Sequence, residues 1–521
     1  MRRSLLYFIV GFVALSLLTL GLMYVGASDD IRRHHQHLER PSEADLGECL
    51  HCDGNVFCTH LPLIVIDTHG AIIPGRPLAY YTRNYTDLLE LETFVTGPNG
   101  ETEIIASISV IDNLNDWNHI DDIPIHESPA RMRIRGNSSR FFDKPNYFIS
   151  LVDPDDHEQS NPLPLLGMNP HQSWQLHGPF LDKTLMRNYM WMNIGSEVMG
   201  QGHFVPNVRF FELILNGEYQ GVYILMEMIR VNPQRLSMNR YRSGMPATSY
   251  LMRMDSNNRT PERHIHTFYH YTLRLEAERN MGIMYPDVEV QHEAMLDYVA
   301  RSISTTERLL HSPEIVWYNR PYEPYIDVDS FVNFFILNEF IVNNDLWSNS
   351  TYIHKDIRGR IVAGPVWDFN NVMDNFFQSM PADQFHLVDR GWFSRLMMCP
   401  DYTDRVIRRW NQLRRNILSE ERLINYMQDV EDFLGSAIDR NFEVWGYSFD
   451  PFQVSHMARR LPNHAERAEG LTELDLNPAS FEEAMNHHRD YVIARGRWLD
   501  RYIESLRQYS HPSRHALWTL R

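Results

Sequence analysis

The spacing of apolar residues changes once along the chain, and that change restricts the fold more than any other feature. Up to about residue 328 apolar positions recur at period two. "RMRIRGNSSRFFDKPNYFISLVD" alternates on both sides of a turn-rich centre, and "RFFELILNGEYQGVYILMEMI" alternates around Asn216-Gly217, a hairpin dipeptide. "LPLIVIDTHGAIIP" predicts a strand, a turn at His69-Gly70 and a second short strand, and Thr102 to Asp112 predicts another strand. One helical signature interrupts them in "LDKTLMRNYMWMNIGSEV", through Leu185, Tyr189 and Met192. From Asp329 the spacing becomes three-and-four. "DSFVNFFILNEFIVNN" is apolar enough for a central buried helix. Three later segments are amphipathic, with Ser419 and Ser480 where helix caps belong. Strands followed by helices predict an α+β chain in two lobes, a β-rich region over 61–328 and a mainly helical one over 329–521, with a cleft between them.

The amino-terminal residues follow neither pattern. After Arg2 and Arg3 an uncharged apolar run extends from Leu5 to about Gly26. As a helix it would be about 33 Å long, enough to cross a bilayer. Residues 1–27 are therefore read as a membrane anchor with the large domain outside the cytoplasm. Small residues at Val25-Gly26-Ala27 leave a cleaved signal, and a secreted protein, as the other reading. Residues 28–60 look like a polar stalk carrying Cys49, Cys52 and Cys58, with His51 and His60 close by. Outside a membrane the cluster predicts one local disulfide with a leftover thiol, or a link to Cys399; the Cys49-x2-Cys52 spacing is also that of zinc ligands. The formal net charge of −18 excludes nucleic acid as the main partner and favours a basic one.

Three groups carry possible chemistry. In the first, Gly136, Asn137, Ser138 and Ser139 form a small polar turn whose N–H groups can approach phosphate oxygens. Arg133 and Arg135 precede it and Lys144 follows on the returning strand. In the second, Arg187 opens the predicted helix, as an ion-pair partner or a phosphate clamp. No glutamate precedes Glu197 there, so Glu212, Glu218 and Glu227 of the next hairpin are the acids that could pair with a lysine, and Glu227 in "YILMEMI" is the most buried by context. The third is "NNDLWSNSTYIHKDIRGRIVAGPVWDFNN". Asp345 and Asn349 leave the buried helix on a loop, and a hairpin then leads to Asp368. An acid that orients a hydroxyl, an amide beside it and a second acid after a strand that holds a metal ion is the arrangement of phosphoryl transfer.

These pieces, together with "LLGMNPHQSWQLHGPFLDKTLMRNYMW" and "GPVWDFN", stand in the order found in the CotH kinase family, named for spore coat protein H, which the chain resembles over roughly Leu61 to Trp498. The resemblance implies an atypical protein-kinase fold, ATP with Mg²⁺ or Mn²⁺, and phosphorylation of serine in protein substrates, including basic, serine-rich coat proteins. It implies that Lys144 meets the nucleotide phosphates, that Asp345 is the catalytic acid and that Asp368 holds the metal, with Asn349 near it. Two positions depart from the pattern. Asn370 stands where "WDFD" is common, and Ser350 occupies the place five residues after the catalytic acid that usually holds a metal-binding Asn. A surface interaction or adhesin-type protein on a weak kinase scaffold is the alternative reading.

Overall fold

Seven strands close into a barrel: β1 (Leu63–Asp67), β2 (Ile104–Ile111), β3 (His126–Arg135), β4 (Asn146–Leu151), β5 (Ser173–His177), β6 (Val208–Leu215) and β7 (Glu218–Glu227). Their order around the barrel is β1-β2-β3-β4-β5-β7-β6. All neighbours are antiparallel except the closing pair, where β1 runs parallel to β6 with Leu63 opposite Glu212. The computed structural model describes residues 35–50, 57–82, 88–255, 264–265, 267–268, 280–312, 315, 322–375, 380–450 and 477–511. The expected anchor over 1–27 lies outside them. No described helix is long and apolar enough to cross a membrane.

Alternation fills the barrel. Along β3, Ser128, Ala130, Met132 and Ile134 are buried while their neighbours are not. These residues meet Ile64, Ile108, Ile149, Leu176, Leu213 and Leu225 in one apolar cluster. The turn between β6 and β7 is built as its dipeptide demands, with Asn216 at φ +53° and Gly217 at φ +79°. His69-Gly70 also turns, but residues 71–74 form no strand: Gly75 N–H bonds Val95 O and Ile134 N–H bonds Pro74 O, so the chain is taken into loop contacts instead.

Helix α1 (Arg187–Met199) packs on β6 and on α3 (Val328–Phe340), separated in sequence by α2 (Glu293–His311). Every residue of α3 except Asp329 is buried, as its composition required. α4 (Pro400–Arg414) and α7 (Phe481–Tyr502) pack on α3, α5 (Glu420–Leu434) packs on α7, and α6 (Ala437–Trp445) packs on β7 of the barrel. Ser419 and Ser480 cap α5 and α7, accepting from Arg422 N–H and Glu483 N–H. The one carboxylate of α3 that faces the core, Glu339, meets Arg495 of α7 at 2.5 Å and also accepts from the His386 and Leu387 N–H groups.

Two expectations about organisation change. A second sheet, ordered β9-β10-β8-β11-β12, joins β8 (Tyr250–Asp255), β9 (His264–Ile265) and β10 (Asn280–Tyr285) to β11 (Thr351–Lys355) and β12 (Ile361–Ala363). β8 pairs with β11, Met254 opposite Thr351, so a boundary at residue 328 would cut through a sheet. Residues 28–60 are also not a free stalk over their described part. His35, Gln36 and His37 are buried: Gln36 exchanges hydrogen bonds with Phe210 in β6, and the His35 ring is 3.0 Å from the Tyr426 hydroxyl in α5. Short helices at 36–39 and 43–46 strap this segment onto the body, with Arg40 paired to Asp112 at 2.7 Å.

Candidate active site

The hairpin β11–β12 returns the chain so that Asp345, before β11, and Asp368, after β12, act on one another. Burial pushes the Asp368 carboxyl up from its usual 3.8 to about 6, and the Asp345 carboxylate adds to the rise. The Arg135 guanidinium opposes it, as does the Ser350 hydroxyl, which donates to Asp368 Oδ2 at 3.3 Å. Asp255, at the end of β8, is a further acid that raises Asp368. Asn349 Nδ2 donates to Asp345 Oδ1 at 3.2 Å. Arg135 ends β3, with its guanidinium 5.8 Å from the centre of the Trp367 ring. The next residue, Gly136, begins the glycine turn.

The backbone of this segment is held in unfavourable conformations. Among the described residues Val342, Trp347, Ser350, Asp368, Met373 and Asp374 all have positive φ, Asp368 at +69°. Such non-glycine residues cost about 1–3 kcal/mol each and persist only where the surroundings over-determine them. Here the surroundings are visible. Ser348 and Asn349 N–H bond the Asp345 carbonyl at 2.9 and 2.8 Å, and Trp347 N–H bonds Thr351 Oγ1 at 2.9 Å. After Asp368, Phe369 N–H donates to Asn188 Oδ1 at 2.7 Å, and Arg187 Nε donates to Val372 O at 3.2 Å. The first turn of α1 therefore grips the chain on the carboxyl side of Asp368.

Arg187 is buried, and its Nη1 lies 2.6 Å from Asp182 Oδ1. Lys144 sits just before β4, against β7 and α6. It is almost fully buried, with Nζ donating to Val222 O at 2.6 Å and to Asn441 Oδ1 at 2.7 Å, and 4.9 Å from the Tyr223 ring centre. Burial, helped by the Lys183 charge, holds its pKa well below the usual lysine value. The cation that acts on Asp368 is Arg135. Glu227 does not meet Lys144. Its Oε2 accepts from Asn207 N–H and Nδ2 at 2.8 and 2.9 Å, and the charge of Arg235 lies near it.

The glycine turn is as open as its sequence suggests. Asn137 and Ser138 are exposed and Ser138–Phe141 forms a 3-10 turn. Gly136 has φ +115°, and a Cβ there would collide with Ser139 Oγ, so only glycine fits. Arg140 Nε anchors the turn from below on Gly136 O at 2.7 Å. A cavity of about 470 Å³ opens where the chain leaves β7, lined by His171, Ile229, Val231, Leu251 and Tyr285 among others. Leu251 belongs to β8, the strand whose other end carries Asp255.

The donors near Asp368 are carboxylates, an amide and a hydroxyl. That is a hard-oxygen set suited to Mg²⁺ or Mn²⁺, with Arg135 beside Asp368 and Arg253 3.4 Å from Asp255. Sequence reasoning missed Asp255, Ser350 as a partner of Asp368, and Asn188; an acid closing the apolar strand "YLMRMD" was the one available signal. No curated protein matches the chain. A family model described as CotH kinase protein matches residues 132–499, more than two thirds of the sequence, a span that contains the acids and the glycine turn. The chain belongs to the CotH kinase protein family.

Proposed function

We propose that the protein is a metal-dependent kinase that transfers the γ-phosphate of ATP to serine in a protein substrate. The observation that carries this reading is the meeting of Asp345 with Asp368, whose carboxyl burial and Asp345 push up and whose positive-φ backbone is followed by a segment that α1 holds. Mg²⁺ or Mn²⁺ would be held by Asp368 with Asp255, Asn349 or Ser350 beside it. The ion, when bound, offsets charge on the phosphates and the acids. Asp345 would accept the proton of the attacking hydroxyl, its carboxylate oriented by the Asn349 amide. Arg135 would stand in for the lysine that family resemblance put at residue 144, with the N–H groups of Gly136 to Ser138 on the phosphate oxygens.

The acidic surface charge suits a basic, serine-containing substrate. We further propose that residues 1–27 tether this activity to a membrane. The test is thermal denaturation of the purified protein with ATP, with and without Mg²⁺ or Mn²⁺, followed by transfer to a basic serine peptide. Metal-dependent stabilisation and phosphopeptide are expected. Neither one appearing would overturn the reading and leave an interaction scaffold.

A further inference from the structure

The cysteine cluster is not absorbed by the kinase reading. Cys58 and Thr59 form a two-residue strand paired antiparallel with Asn118 and His119, Cys58 directly opposite His119. Opposed residues of an antiparallel pair share a face, so the thiol and the imidazole project together. Cys49, arriving from the strap, brings its Sγ to 3.3 Å from His119 Nε2. The ligand atoms of Cys49, Cys58 and His119 all lie within 4.8 Å of one another, and the three residues are half-buried. Among the described residues neither sulfur is in a disulfide.

The other face of the imidazole is also occupied. His119 Nδ1 lies 3.4 Å from Asp122 Oδ2, which accepts from His119 N–H at 2.8 Å and Asn113 Nδ2 at 2.7 Å. The carboxylate favours hydrogen on Nδ1 and leaves the Nε2 lone pair facing the sulfurs. A carboxylate behind a histidine is the support that metal-binding imidazoles usually have. The loop that carries it is braced in turn: Asn113 N–H bonds Asn118 Oδ1 at 2.7 Å, and Asn118 Nδ2 bonds Leu61 O at 3.0 Å. His60, near the cysteines in sequence, points elsewhere, to Phe433 O.

We infer that Cys49, Cys58 and His119 bind a zinc ion that fastens the amino-terminal strap to the barrel. Two thiolates and an imidazole are soft and borderline ligands, unlike the oxygen set at Asp368. With Zn–S near 2.3 Å and Zn–N near 2.0–2.1 Å, a tetrahedral site has ligand-to-ligand edges of about 3.5–3.8 Å, close to the spacing already present. No fourth protein ligand is assigned; Cys52 lies outside the described residues. The ion closes a loop from Cys49 to His119, 70 residues apart, and so stabilises the body. It also lies beside Thr59, which accepts from Arg440 Nη2 at 3.1 Å, so the strap, the barrel and α6 meet there.

The full chain, purified in detergent under reducing conditions without chelator, tests this. Metal analysis should give one zinc per chain. Replacement by Co²⁺ should give thiolate-to-cobalt charge-transfer absorption, which an oxygen-only site at Asp368 does not produce. Cys58→Ser and Cys49→Ser should abolish that absorption, Cys399→Ser should keep it, and Asp122→Asn should weaken zinc binding about 10–100-fold. Should a cysteine variant fail to fold, the cobalt spectrum of the unaltered chain still decides. Protein made with zinc supplied that holds no zinc and gives no charge-transfer band overturns the inference, as does mass spectrometry that finds Cys49 or Cys58 in a disulfide.

Discussion

Asp368→Asn should stabilise the metal-free protein while abolishing its metal-dependent binding of nucleotide. The carboxyl is moved from 3.8 to about 6 by burial and by Asp345. A group with a raised folded-state pKa makes its favourable contribution below the unfolded value, and loses it as pH rises through the folded one. Asp368 therefore weakens the metal-free protein progressively between pH 3.8 and about 6, and fully above that. Two units correspond to roughly 2–3 kcal/mol at neutral pH. Asparagine has the same shape, accepts from Ser350 and carries no charge. Urea denaturation from about pH 4 to pH 8 should show the variant more stable at neutral pH, with the gap closing towards pH 4. Saturating Mg²⁺ and ATP should reverse the ranking, because a ligand at a hundred times its Kd adds about 2.7 kcal/mol to the form that binds it. A variant that is less stable at neutral pH, or a difference that ignores pH, refutes the argument.

Asp345→Asn should keep nucleotide binding and lower phosphoryl transfer about 10²–10⁴-fold, measured as single turnovers on a serine peptide. Lys144→Met should behave as a stability variant. It takes the lysine donor from Val222 O, while Asn441 Oδ1 keeps the Val222 N–H, and should cost about 1–3 kcal/mol while the folded fraction binds nucleotide as before. Weaker nucleotide binding at unchanged stability would return Lys144 to the phosphates. Arg187→Met strands Asp182 in the core and should cost about 3–5 kcal/mol by denaturation. Metal-dependent nucleotide binding should also weaken below about pH 6, as Asp368 takes up its proton, which calorimetry would detect.

The residues that could be read from the sequence are those whose geometry is local. Asp345 and Asp368 are joined by one hairpin, so their meeting follows from a strand, a turn and a strand. Asn216-Gly217 encodes its own φ values. The roles that stayed hidden depend on partners far along the chain. Lys144 looks like a cation beside a phosphate turn until Asn441, 297 residues later, takes its ammonium. Gly221 belongs to the same junction: with φ +86°, a Cβ there would run into Asn441 Oδ1. The second sheet escaped because β8 finds its neighbour β11 only after two helices. His119 was passed over as a ligand because two-residue strands carry no periodic signal, whereas His51 and His60 are merely nearer in sequence.

The parallel seam of the barrel has a consequence for biosynthesis. β1 emerges from the ribosome early, but its partner β6 follows only after roughly 150 further residues. At about 5–20 residues per second, "LIVID" waits on the order of 10–30 s with one edge unpaired. An apolar edge exposed for that long is a template for wrong pairing. The nascent chain should therefore be a client of chaperones until Leu215 is out, and heterologous yield should respond more to slower growth or holdase supply than to any change in the finished fold.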